Sequence, residues 1–252
     1  VSDANGSDLA RLAAREPAPP KAKRFYANVG VAGAAGGFRV LLDARPVRTP
    51  GRQILETRSS ALAEAIAAEW RGQGAELDPA SMPLTRLTAT ALDRVAAERE
   101  AMTSALLAYI ATDLLCYRAP HPADLAARQA AVWQPVLDWL EAALGIALPV
   151  VSGILPAAPS PAAEAATRRV IAGLSIEEFT ALQAAVAATG SLALGLALVH
   201  GRIAAAEAIA AADLDETYQN ERWGEDAEAL ARRTRIAAEV EAAERYLRLV
   251  RG

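Results

Sequence analysis

The spacing of apolar residues changes once along this chain. Up to about Thr57 they fall in short runs with strand composition, punctuated by glycine and proline. Arg24-Phe-Tyr-Ala-Asn-Val-Gly-Val31 predicts a strand, Gly33 to Gly37 a turn and Phe38 to Asp43 a return strand, which together make a β-hairpin. Arg45 to Pro50 predicts a short edge segment and a turn, and Gln53 to Glu56 one more strand. From Ser59 the apolar period becomes three to four, which is the period of a helix with one buried face.

The helical part divides at its own punctuation. Ser59 or Ser60 caps a first helix through Leu62, Ile66, Glu69 and Trp70, with Trp70 as a core anchor, and Gly72 and Gly74 end it. Asp78 to Pro83 reads as a loop. Leu84, Leu87, Ala91, Val95, Met102, Leu106 and Ile110 predict a long helix or a broken pair reaching Cys116. After the break at His121-Pro122, a helix spans Asp124 to Leu144; Pro135, between Trp133 and Trp139, kinks it or starts a new one. Gly145 to Pro161 reads as loop, and Ser160 opens another helix. Ser175 and Glu178 form a capping box for a helix ending near Thr189. Gly190 to His200 is apolar almost all round and predicts the central buried helix. A short helix follows from Ile203 to Ala211. Asp213 or Asp215 then caps a final helix to Val250, weakened or bent at Gly224.

These elements predict an α+β fold, mainly α: a flexible tail over 1–22, a small β-rich N-terminal domain over 23–57 and a larger multi-helical C-terminal domain over 58–252. At 53% hydrophobic and 22% charged residues, the chain can bury a sizeable core, so disorder beyond the tail is not expected. A net charge of −4 argues against a general nucleic-acid binder. The longest apolar run is too short to span a bilayer, and the first twenty residues do not read as a signal peptide. A soluble intracellular protein is expected.

Candidate chemistry is sparse. One cysteine and two histidines, Cys116, His121 and His200, exclude an intrachain disulfide and supply no ordinary zinc site. Cys116 fits a buried structural thiol better than a nucleophile, and His200 a capping or polar-paired group. Gly33, Gly36 and Gly37 are not followed by the Lys-Ser/Thr and helix of a phosphate loop. The unusual stretch is Asp213 to Glu228, where seven carboxylates sit among Tyr218, Gln219, Trp223 and Gly224. As a helix it places Asp215, Tyr218 and Arg222 along one edge, Gln219 and Trp223 beside them, and Glu216 with Asn220 on another. Three readings stay open from the residues alone. The carboxylates could do acid–base work in a hydrolase or transferase, form part of a binding face, or be a solvated surface with Tyr218 and Trp223 as anchors.

Eight short segments, in order, resemble a known family: Lys23-Arg-Phe-Tyr26, Leu42-Asp-Ala-Arg-Pro-Val-Arg-Thr-Pro50, Ala68-Glu-Trp70, Met82-Pro-Leu-Thr85, Asp113-Leu-Leu-Cys-Tyr-Arg118, Trp133-Gln-Pro-Val-Leu-Asp-Trp139, Gly190-Ser-Leu192 and Leu214-Asp-Glu-Thr-Tyr-Gln-Asn-Glu-Arg-Trp-Gly224. Singly they are weak; together they are similar to the ATP synthase assembly chaperone family, assembly factor two, over about residues 23–228. The resemblance implies a chaperone that is not an enzyme, needs no cofactor or metal, and binds the unassembled alpha subunit of the F-type ATPase over its beta-facing surface. It implies a monomer when free, in the bacterial cytoplasm, with mitochondrial matrix relatives in eukaryotes. It places the functional carboxylate at Asp215 or Glu216, and a partner-binding face at Asp215, Glu216, Gln219, Glu221, Trp223 and Asp226.

Overall fold

The computed structural model describes residues 22–153, 160–224 and 227–252, with the Glu228 side chain left out. A small sheet comes first and helices follow, an α+β fold that is mainly α. The hairpin is β1 (Val29–Ala34) and β2 (Gly37–Leu42), paired antiparallel with Val31 opposite Val40. On its other edge β2 pairs with β3 (Arg45–Pro46) near one end and β4 (Glu56–Thr57) near the other.

Two sequence expectations shift here. The first strand begins at Val29 rather than Arg24, because Lys23 and Arg24 pair instead with the backbone at Glu76 and Ala75 after the first helix. The turn is also tighter than Gly33–Gly37, with strand pairing continuing to Ala34 opposite Gly37. Gly37 is required there: its φ is +143°, and an added Cβ would lie 2.3 Å from the Thr57 carbonyl oxygen.

Helix α1 (Ser60–Arg71) buries Leu62, Ala63, Ile66 and Ala67, and Ser59 caps it by accepting from the Leu62 N–H at 3.1 Å. It lies on the hairpin. Helices α2 (Pro83–Thr90) and α3 (Ala96–Ala108) are joined without interruption by a π-helical turn, Ala91–Val95. Helix α4 (Ala123–Leu144) passes through Pro135 as one element. The region after it is not all loop. A two-residue β6 (Val151–Ser152) pairs in parallel with β5 (Tyr117–Arg118), a pairing across more than thirty residues that no local pattern announces.

Helix α5 (Pro161–Ala172) starts at its Ser160 cap, and α6 (Ile176–Thr189) at the predicted Ser175–Glu178 capping box. Gly190, at φ +70°, ends α6, and Ser191 immediately caps α7 (Leu192–Val199). Every residue of α7 is buried, as its all-round apolar sequence demands. Asp113, fully buried, holds this corner: its carboxylate accepts from the Ser191 hydroxyl at 2.8 Å, the Ala193 N–H at 2.9 Å and the Leu115 N–H at 3.0 Å. Cys116 lies beside it, buried, with its thiol pushed up to about 12 by burial and then by Asp113. His200 sits at the C-cap of α7 with its ring tilted against Trp139.

Helix α8 (Ala205–Ala212) leads into α9 (Leu214–Trp223) and α10 (Ala227–Arg251). The single final helix expected from the sequence is therefore two. Gly224, at φ +87° and ψ 165°, takes a backbone that helical residues do not adopt. The far half of α10 packs on α6 through Val240, Ala243, Tyr246 and Leu247.

Candidate functional site

The acidic stretch becomes α9, and three other elements hold it in place. At its start the Trp133 indole on α4 donates to the Ala211 carbonyl at 2.9 Å. Asp213 stands at the N-cap but makes no capping bond; its carboxylate pairs with Arg233 of α10. Asp215 does not cap either. It accepts from Gln129 Nε2 at 2.8 Å, and Gln129 is 1% exposed. The other end of that amide accepts from the Ala119 N–H at 2.7 Å. Asp215 thus completes a relay that runs from the residue after β5 through α4 to α9. Glu216, one residue on, turns to α10 and pairs with Arg232, while its Oε2 is buried without a partner.

Tyr218 anchors the helix. Its ring is buried, its hydroxyl donates to Asp124 at 2.7 Å, and Arg222 stacks on it at 3.6 Å while donating to the same carboxylate at 2.6 Å. These donors, the Tyr218 hydroxyl first, hold the Asp124 carboxyl below the usual carboxylate range. Arg128, one turn further along α4, reaches Glu221 at 2.7 Å. The sequence reading missed Asp124, Arg128 and Gln129 on one face of α4, and Arg232 and Arg233 on α10. Residues four apart on a helix share a face, so Asp124 and Arg128 carried a signal.

Trp223 corrects the anchor reading. It is 77% exposed, at the end of α9. On a regular helix, residues five apart point about 140° from each other, so a helix that buries Tyr218 turns Trp223 outward. Gln219 and Glu221 are exposed on the same helix. Asp226 lies outside the described residues. Of the sequence-expected face, Gln219, Glu221 and Trp223 are outward, whereas Asp215 and Glu216 are turned into the protein's own contacts.

An open cleft of about 410 Å³ runs behind the helix, lined in part by Asp213, Asp215, Glu216, Arg232 and Arg233. Acid–base catalysis needs carboxylates free to exchange protons with a bound substrate. Here Asp213, Asp215, Glu216 and Glu221 are each taken up by an arginine or an amide of the same chain. Among the described residues no group of His, Cys, Asp and Glu could hold a metal ion, and no helix is long and apolar enough to cross a membrane. What the arrangement offers is a rigidly held helix that presents one large aromatic ring to its surroundings.

Comparison with known proteins identifies the family of the chain. Residues 23–141 match the family described as ATP12 chaperone protein. The mitochondrial protein atp12 of Schizosaccharomyces pombe is 25% identical over 224 residues, covering 84% of this chain and 77% of that protein. The crystal structure of Atp12 from Paracoccus denitrificans superposes with a TM-score of 0.85 at 42% identity, over 91% of this chain and 98% of that one. An aspartate-to-lysine mutant of the Paracoccus protein gives 0.84 and 41% over the same shares. The family is described as one of chaperones, and the relatives carry its name, Atp12. With such identity over nearly the whole of both chains, the likeness extends beyond the fold, and the chain belongs to the ATP12 chaperone family.

Proposed function

We propose that this chain is an assembly chaperone of the F-type ATPase that binds the unassembled alpha subunit and covers the surface destined for the beta subunit. Exposed interface of that kind aggregates, so covering it is a function in itself. Membership of the chaperone family supports the general role. The observation that carries the site is Trp223, 77% exposed on a helix that Tyr218 and Asp124 fix in place. Tryptophan is enriched among the few residues that dominate interface energies, and a pre-ordered helix loses little entropy when it binds.

In this reading Trp223, Gln219 and Glu221 meet the partner, with Asp226 following beyond the α9 terminus. The two candidate carboxylates separate. Asp215 holds a buried amide and has a structural task, so Glu216, in an ion pair at the edge of an open cleft, is the one that tunes binding. The test is co-expression of the alpha subunit with Trp223→Ala and Glu216→Lys variants. Both are expected to leave less alpha subunit soluble; Trp223→Ala keeps the wild-type melting temperature, whereas Glu216→Lys lowers it by setting a second cation against Arg232. Full protection of the alpha subunit by both variants would move the binding face away from α9.

A further inference from the structure

Far from α9 in the sequence, four of the motifs noted above meet in one place. Two clefts, of about 840 and 590 Å³, adjoin along Val47, Arg48 and Trp70, which line both. Phe25 and Tyr26 stand at one end, and Met82 and Thr85 at the other.

The walls are fixed before anything binds. The Asp93 carboxylate accepts from the Thr49 hydroxyl at 2.6 Å and the Gly51 N–H at 2.7 Å, tying the loop after β3 to the π-helical turn. Glu69 accepts from the N–H groups of Leu84 at 2.7 Å and Thr85 at 2.8 Å, which locks the corner between α1 and α2. The Tyr26 hydroxyl donates to the Trp70 carbonyl at 2.7 Å. A groove built this way does not have to order itself on binding.

Its surface is incomplete in two respects. The Phe25 ring is 72% exposed at its end, and the Trp70 indole N–H is buried with no acceptor among the described residues. Buried indole N–H groups ordinarily have one. The charge is also one-sided. The acids Asp43, Asp93 and Glu69 are directed at N–H and hydroxyl groups of their own chain. Arg45 and Arg48 are exposed; Arg48 donates to the Arg52 carbonyl at 2.8 Å, and the Arg45 side chain makes no hydrogen bond or ion pair among the described residues.

We propose that this groove docks an extended apolar segment of a client protein that carries a carboxylate beside the apolar residues. The apolar side chains lie along Val47, Trp70 and Phe25, and the carboxylate reaches Arg45 and Arg48. The surface is separate from α9, and its existence does not depend on the role given to Trp223.

The direct test is fluorescence anisotropy with two labelled peptides, Glu-Leu-Val-Phe-Leu-Glu and its lysine-flanked counterpart, titrated with the full chain. The wild type is expected to bind the acidic peptide at least about tenfold more tightly than the basic one. An Arg45→Glu, Arg48→Glu double variant is expected to reverse that preference, and Phe25→Ser to weaken both peptides. Circular dichroism melting of each variant separates loss of binding from loss of folding, and all three substituted positions are exposed. Equal affinity for the two peptides, a preference unmoved by the charge reversal, or no binding of either would overturn the proposal. So would a concentration-dependent dimer in sedimentation velocity that Phe25→Ser abolishes, because the groove would then belong to a second copy of this chain.

Discussion

Replacing Asp215 with alanine separates a structural carboxylate from a binding one. The residue removed accepts from Gln129 Nε2 at 2.8 Å, and Gln129 is 1% exposed. A buried donor stranded in this way costs about 1–3 kcal/mol, and bonds to a charged partner lie in the upper part of that range. Taking about 2 kcal/mol, and about 2–4 °C per kcal/mol for a chain of this size, the melting temperature falls by about 4–8 °C. Asparagine keeps an oxygen where the amide needs it, so Asp215→Asn is expected to lose less than half as much. The assay is thermal melting followed by circular dichroism, with urea unfolding to check that the slope is unchanged. An unaltered melting temperature in Asp215→Ala, joined to lost alpha-subunit protection, would refute the reasoning and return Asp215 to the binding face.

Four further outcomes follow from the interior. Asp113→Ala strands the Leu115 and Ala193 N–H groups and the Ser191 hydroxyl, and is expected to cost about 3–6 kcal/mol in urea unfolding. Burial raises the Asp113 carboxyl above its ordinary value, so the folded chain holds that proton more tightly than the unfolded chain. Its contribution therefore favours folding at low pH and is lost as pH rises through the raised value; comparing melting of wild type and Asp113→Asn over about pH 4–7 isolates it, and identical slopes would contradict it. Gly195→Ala brings a Cβ to 2.6 Å from Val186 Cγ2 and 3.0 Å from Leu182 Cδ1, an overpacking expected to cost about 1–3 kcal/mol in the same assay. Cys116, buried and pushed up to about 12, is expected to resist maleimide at neutral pH until the chain is unfolded, whereas rapid labelling of the native protein would place the thiol at the surface.

Much of the helical layout was legible because its signals are local. Ser59, Ser160 and the Ser175–Glu178 pair each cap the helix that their position announced, and Gly190 ends one where its backbone freedom is needed. The all-round apolar run after it is buried throughout. What escaped was relational. The β5–β6 pair depends on residues more than thirty positions apart, and although Arg45–Pro50 and Gln53–Glu56 announced edge strands near β3 and β4, nothing local told that both pair with β2. At the site, the acidic run was visible but its partners were not, since Gln129, Arg232 and Arg233 come from helices whose packing the sequence does not state. Trp223 shows the difference most clearly. Composition suggests an anchor, whereas the angular distance from the buried Tyr218 turns Trp223 outward on a helix that buries one side alone.

The account rests on recognition of one client. Its most direct test is co-expression of this chain with isolated ATPase alpha subunit, followed by size-exclusion chromatography of the soluble fraction. The account predicts a complex that keeps the alpha subunit soluble and dissociates when beta subunit is added, with the free chain eluting as a monomer. An alpha subunit that aggregates regardless, while this chain elutes alone, would contradict it.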